Sequence, residues 1–401
     1  MEVCFLVTEH PFKDARIFKK EAKSLARNGY KVTMIVPRKD GYLFDVDGSH
    51  FKNSFLSPTF NYQGINVITY EQFYPEKNLK NSLYNLISGN HHRFTDRLTQ
   101  LGIQQEADIY HAHEFFSAYS GVGIKRALAT KGKQCKLIYD SHELEPDPLS
   151  NHSRNTQRVK LQILEAMLKE VDQVITVSES IKTWYNSIHP KLPVEVLYNS
   201  PPLAPEPKQT NLAKSDLVLV YEGVLGPNRG NFQKLVDVLE LAKQQQMIIK
   251  AKIIGGWKEG KKPSIPHHLE DRVTFTGWVP FSSIPEAMKD GNIGWIDLDT
   301  NNSLNNRYAM PNKFFSYLNN GVPVLSNLSE DMAQFIRHYQ CGQVINKRQA
   351  LAEDYLQALS VLNDNRNLLE QMGKNARKAM EAEYSWEHME RKLWRIYSNI
   401  N

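Results

Sequence analysis

Tyr308-Ala-Met-Pro-Asn-Lys-Phe-Phe-Ser-Tyr-Leu-Asn-Asn-Gly-Val-Pro-Val-Leu-Ser-Asn327 reads as a loop, a helix opened near Pro311, and a Gly-Val-Pro turn into a buried strand over 322–325. Proline suits the first helical turn, where its missing N–H costs nothing, and glycine suits the residue just past a helix end. The N–H groups at that helix start, with Lys313 beside them, predict a seat for a phosphate.

The same grammar of short apolar strands and intervening helices runs along the whole chain. Segments 3–7, 32–36, 65–69, 109–111, 136–139, 173–177 and 194–197 read as buried strands, with helices over 15–27, 83–101, 121–129 and 158–169. Such alternation predicts a parallel, doubly wound sheet. Four prolines between Asn199 and Lys208 then mark a stiff, extended linker. Beyond it the alternation restarts, with strands over 217–221, 248–254, 272–276, 292–296, 322–325 and 343–345. Helices are expected over 232–244, 285–289, 313–319, 350–362 and 368–384. Two Rossmann-like domains, 1–205 and 206–383, are expected to face a ligand cleft at the carboxyl ends of their strands. In the tail, 384–401, Trp386, Met389, Leu393 and Tyr397 recur at three- and four-residue steps, the mark of an amphipathic helix.

A chain of 401 residues accommodates these domains. Its formal charge of +5 and pI of about 8.8 suit phosphorylated ligands or an anionic membrane surface, and are too weak to argue for nucleic acid. Cys4, Cys135 and Cys341 form no Cys-x-x-Cys pair and read as core residues of a reducing compartment. The opening residues predict no signal peptide, and no apolar run approaches a membrane span, so the expected location is cytoplasmic. Gly121-Val-Gly123 has Arg126 where a dinucleotide fingerprint needs its third glycine.

The 308–327 stretch resembles the nucleotide-sugar-binding segment of retaining GT-B glycosyltransferases of the family 4 type, whose pattern runs Pro-x-Lys-Phe-x-Glu-Tyr and then Gly-x-Pro-Val. Four further segments extend the resemblance along the chain: Glu9 to Phe18, Asp108 to Glu114, Tyr139-Asp-Ser-His-Glu-Leu144, and Val220 to Gly230. The Tyr139 to Leu144 run is similar to one common in bacterial members that make surface glycans. The resemblance implies a last helix that crosses back onto the N-terminal domain.

It also implies site residues. Arg229, in a Gly-Pro-Asn-Arg-Gly turn, reads either as a solvated turn arginine or as a bidentate diphosphate clamp. The family's second cation falls at Val224, with Lys313 and Lys234 as substitutes. His113 is carried over as a partner of the transferred sugar, against the reading of a histidine capping a strand end. Gly223, Trp278, Tyr308, Pro311, Asn312 and Ser316 would border the donor; the family has glutamates at the positions of Tyr308 and Ser316. Asp14, Arg16, His142 and Glu143 fall on the acceptor side. No metal is expected, although Asp140, His142 and Glu143, or the runs Asp45-Val-Asp47 and Asp297-Leu-Asp299, are where one would be sought. His91-His92 and His267-His268 read as surface pairs.

In the first helix, Ala15, Phe18, Ala22 and Leu25 are expected to face the core. Lys13, Arg16, Lys19, Lys20, Lys23 and Arg27 crowd the other side, either as a solvated face or as a rest on anionic lipid. The resemblance implies a metal-independent, cofactor-free enzyme moving a hexosyl or N-acetylhexosaminyl group from a UDP-sugar to a glycan or lipid-linked acceptor. A non-catalytic relative that binds a glycan or a partner enzyme is the alternative, and a sugar-nucleotide epimerase a third reading.

Overall fold

The computed structural model describes residues 1–74, 78–205, 216–226, 230–257 and 264–400. It divides into two compact units, Met1–Leu197 with Glu390–Asn401, and Tyr198–Met389.

The first unit is built on an eight-stranded sheet: β1 (Glu2–Val7), β2 (Lys31–Arg38), β3 (Thr59–Tyr62), β4 (Ile65–Glu71), β5 (Ile109–His113), β6 (Lys136–Asp140), β7 (Gln173–Thr176) and β8 (Val194–Val196). Their order across the sheet is β3-β4-β2-β1-β5-β6-β7-β8. β1 is apolar and buried from Val3 to Val7 because neighbours and helices cover both of its faces. Pairing is parallel except at one edge, where β3, unforeseen from the sequence, runs antiparallel to β4. Successive strands are laid down outward from β1 on one side through β2 and on the other through β5, so ligand chemistry is expected above the carboxyl ends of β1 and β5.

Two helical expectations need correction. The helix over 83–101 is broken into Leu79–Ile87, a short turn His91–Arg93, and Arg97–Gln105. Gly89 takes φ +68°, and the side chains of Asn90 and Asp96 cap the two new starts at 3.0 and 2.8 Å. The helix over 15–27 begins as a π-turn, Ile17–Ala22, in which the N–H groups of Phe18 and Lys19 both reach the Asp14 carbonyl. That wider turn carries Arg16 and Lys20 inward, to 1 % and 3 % exposure, so neither belongs to a basic outer face. A helix over Glu179–Ile188 also lies where none was expected.

The second unit holds β9 (Leu217–Leu225), β10 (Ile249–Trp257), β11 (Val273–Gly277), β12 (Ile293–Ile296), β13 (Val324–Ser326) and β14 (Gly342–Val344), all parallel, in the order β11-β10-β9-β12-β13-β14. Its switch point lies between β9 and β12. The opening stretch forms the helix Asn312–Asn319, ended by Gly321 at φ +66°, before β13. Trp386, Met389, Leu393 and Tyr397 are all buried on one face of the last helix, Trp386–Ile400. From Glu390 onward that helix belongs to the first unit, where Trp394 Nε1 donates to the Ser24 carbonyl at 3.2 Å.

Candidate functional site

Each sheet carries polar residues at its carboxyl edge. In the first unit they are organised around Asp140, the last residue of β6. Arg16 donates to it from Nε at 3.1 Å and Nη2 at 2.7 Å, and from Nη1 to the Leu197 carbonyl at 2.9 Å. The Arg16 Nε also lies 2.8 Å from Glu21 Oε1, and Asp140 and Glu21 have no exposed side-chain area. Burial works to raise the Asp140 pKa, but Arg16 and His142 hold that carboxyl well below its usual range. Glu21 goes the other way: burial, then the Asp140 charge, push it well up against the pull of Arg16. One guanidinium thus lies against two carboxyls whose pKa values are displaced in opposite directions.

His111 and His113 stack at 4.4 Å behind Asp140, both fully buried. Burial holds both rings below the usual histidine pKa, His113 the further because His111 also repels its charge. His111 Nδ1 meets the Tyr397 hydroxyl of the last helix at 2.8 Å. Arg16, placed on the acceptor side from the sequence, is therefore a buried counter-ion. His113, expected as a sugar contact, is fully buried, its Nδ1 3.2 Å from His142 Nε2.

Above them sit the half-exposed groups: Asp14, His10, His142 and Glu114. Asp14 Oδ1 accepts the N–H groups of Arg16 and Ile17 at 2.7 and 3.0 Å, which spends part of it on the chain turn. His142 Nε2 meets Asp140 Oδ2 at 3.0 Å, and Glu143 points outward, exposed. His10 and Glu114 escaped the sequence reading, though both lie in the segments quoted for it. Glu114 follows β5 directly, with φ +74° and ψ 169°, a region that suits glycine and costs other residues about 1–3 kcal/mol. Its N–H is held by the Asp140 carbonyl at 3.0 Å, and its carboxylate meets His10 Nε2 at 3.2 Å. Burial works to lower the His10 pKa; the bond to Glu114 and the charges of Asp14, Glu114 and Glu9 raise it to about 9.

In the second unit the helix Asn312–Asn319 starts after Pro311, which offers no side-chain cap. Lys313 lies over the Tyr221 ring at 4.1 Å, its Nζ 3.0 Å from the Tyr221 hydroxyl. A Cβ on Gly223 (φ +123°) would stand 3.6 Å from that Nζ, so the ammonium lies beside this glycine near the end of β9. Asn312 and Lys313 thus sit at the switch point, beside Pro311; Tyr308 closes the short helix Leu304–Arg307. Trp278, 40 % exposed, stands beyond β11 near Gly256. Arg229 lies outside the described residues. Lys234, considered as a substitute cation, is spent on Asp297 at 2.8 Å, which Asn231 and Tyr355 also bind. Asp297 is therefore held by three side chains, and among the described residues it belongs to no cluster of metal-ligand type.

Glu222 was missed. It precedes Gly223 on β9, its N–H donates to the Tyr317 hydroxyl at 3.0 Å, and its side chain bonds Ser316. Burial raises its pKa against the pull of Ser316 and Lys313, and its Oε2 is buried without a hydrogen-bond partner. A carboxyl thus stands beside the helix position where the family pattern has its own glutamate. Restoring that glutamate by Ser316→Glu would place two buried carboxyls in contact. Ser316→Glu is expected to destabilise the second unit by about 1–3 kcal/mol, and Glu222→Gln to recover most of that loss, in urea denaturation of both variants. Equal stability of Ser316→Glu and wild type would show that the two side chains do not share this space.

Two Rossmann-like units, each with a polar carboxyl edge, and a last helix returning to the first unit define a GT-B fold. Residues 15–201 match the model of Glycosyltransferase Family 4, and residues 233–394 match a model described as glycosyl transferase-like. The chain belongs to the family 4-like GT-B glycosyltransferases. No curated protein matches it. Among solved structures, sucrose-phosphate synthase from Thermosynechococcus elongatus superposes with a TM-score of 0.69 at 15% identity, over 100% of this chain and 98% of that one. HepE from Anabaena, in complex with UDP-glucose, gives 0.67 at 14% identity over 100% of both chains. A glycosyltransferase from Rickettsia africae gives 0.62 at 15% identity, over 100% and 98%.

Proposed function

We propose that this protein is a retaining glycosyltransferase that moves a hexosyl or N-acetylhexosaminyl group from a UDP-sugar to a glycan or lipid-linked acceptor in surface-glycan assembly. The observation that carries this reading is the Lys313 ammonium poised over Gly223 beside the start of the Asn312–Asn319 helix, at the switch point of the second sheet. Helix N–H groups and a cation favour the diphosphate charge that builds as the sugar leaves. The leaving phosphate oxygen would take the acceptor proton, so the transfer itself calls on no metal and no cofactor at the diphosphate. HepE, which shares the fold, was solved with UDP-glucose.

The location in this reading is cytoplasmic, with peripheral contact at the inner face of the plasma membrane. Among the described residues no helix is long and apolar enough to cross a membrane. With Arg16 and Lys20 buried, a lipid contact would depend on Lys19, Lys23 and Arg27.

A second reading, a non-catalytic member, is favoured by Tyr308, Ser316 and Val224, which stand where the family pattern has two carboxylates and a cation. Calorimetric titration with UDP, GDP and UDP-glucose separates the two. UDP is expected to bind, and Lys313→Ala to weaken it about 10–100-fold, the worth of a charge-assisted contact. No binding of any nucleotide by the wild type would remove the transferase reading and leave the non-catalytic one.

A further inference from the structure

The geometry points to a divalent metal site of the zinc type in the first unit, formed by His10 Nε2, Glu114 Oε1 and His142 Nδ1 with one position left open for water or a ligand hydroxyl. It stands apart from the donor reading, since every ligand comes from the first unit.

The three residues lie on the loops after β1, β5 and β6, at the carboxyl edge beside the switch point. Glu114 Oε1 is 3.2 Å from His10 Nε2 and 3.5 Å from His142 Nδ1. Bonds of about 2.0–2.1 Å arranged tetrahedrally around zinc put neighbouring ligand atoms about 3.3–3.4 Å apart. Both edges fall at that spacing. Side-chain exposures of 28%, 13% and 12% leave the group open on one side.

One of the two histidines has the outer hydrogen bond of a metal-bound ring: His142 Nε2 meets Asp140 Oδ2 at 3.0 Å, a carboxylate that would orient the ring. His10 Nδ1 faces Asp14 Oδ2 at 3.9 Å, beyond hydrogen-bond reach. The consequence at His142 is specific. With Nε2 turned to Asp140, Nδ1 is the nitrogen that faces the Glu114 carboxylate, at 3.5 Å. A single cation set between Glu114 Oε1 and the two ring nitrogens would face all three ligand atoms at once. The strained backbone of Glu114 is also accounted for, because φ +74° is what turns its carboxylate toward the two rings.

The neighbouring group Glu21, His111, His113 and Asp140 also gathers ligand-type atoms, but Arg16 already supplies its cation through both Asp140 oxygens. The ion-pair contacts given for the outer triangle run among its own members and to Asp14 and Asp140.

Full-length protein stripped with a chelator and dialysed would be titrated with Zn²⁺ calorimetrically and with Co²⁺ by visible absorption. One equivalent per chain is expected, with the strong visible bands of four-coordinate cobalt. Glu114→Gln and His142→Ala should each weaken zinc by more than the ~10–100-fold that loss of an outer partner costs. UDP titration of each variant reports that the rest of the chain is intact, and it stays unchanged whichever way the metal result falls. Absence of stoichiometric zinc in the wild type overturns the site. So does zinc that survives both substitutions, or that disappears instead with His91→Ala/His92→Ala. Should a variant fail to fold, the wild-type cobalt spectrum decides, and weak six-coordinate bands count against the site.

Discussion

Arg16→Met is expected to destabilise the protein by about 3–5 kcal/mol, the cost of breaking a buried ion pair by removing one partner. Methionine fills much of the stem volume, so the loss is electrostatic rather than a cavity. What remains is Asp140, fully buried, with imidazole rings in place of its bidentate donor, and Glu21 beside it. The Leu197 carbonyl loses its donor as well. Arg16→Lys should recover little, because a single ammonium cannot donate in parallel to both Asp140 oxygens and also reach Leu197. Arg27→Met is the control. Its guanidinium is 58% exposed and pairs with Glu390 at 2.5 Å, a surface bridge worth about 0–1 kcal/mol. Urea denaturation of the three variants checks this, and an Arg16→Met midpoint as close to wild type as that of Arg27→Met would mean the Asp140 network is not held by this cation.

Arg16 also shows where sequence reasoning stops. A helical period of 3.6 over 15–27 puts Arg16, Lys19, Lys20 and Lys23 on one side, and that face reads as solvated or lipid-facing. The π-turn at Ile17–Ala22 changes the angular step and carries Arg16 and Lys20 inside. Period alone cannot report this, because the cause is a carboxylate on β6, 124 positions away in the chain. The alternation of strands and helices was legible for the opposite reason: strand apolarity is local, and Val3 to Val7 or Leu217 to Tyr221 declare themselves buried. The helix of the opening stretch was legible too, since Pro311, Lys313 and Gly321 act within one helix length of each other. Glu222 was not, because nothing local marks a strand-end glutamate that turns inward to Ser316. His10, Glu114 and His142 come from three segments, and only the sheet order brings them together.

Gly255→Ala is expected to cost the second unit about 3–5 kcal/mol, the range left to strain and close backbone conflict. Gly255 takes φ +118°, and a Cβ there would stand only 2.3 Å from the carbonyl oxygen of Gly223 on the paired strand. Backbone cannot rotate aside as a side chain does, so β9 and β10 must part at their carboxyl ends. Gly223 moves with them, and it is the residue beneath the Lys313 ammonium. The substitution should therefore weaken UDP as well as lower stability, even though Gly255 itself carries no chemistry. Gly256→Ala, one residue on, separates this cause from a general intolerance of the strand. A Cβ there meets only Trp278 Nε1, at an ordinary 3.6 Å, and the expected cost is below about 1 kcal/mol with UDP affinity retained. Thermal and urea unfolding of both variants, with a UDP titration of each, give the comparison. Equal losses at the two positions would show that the Gly223–Gly255 approach does not shape the donor edge of this sheet.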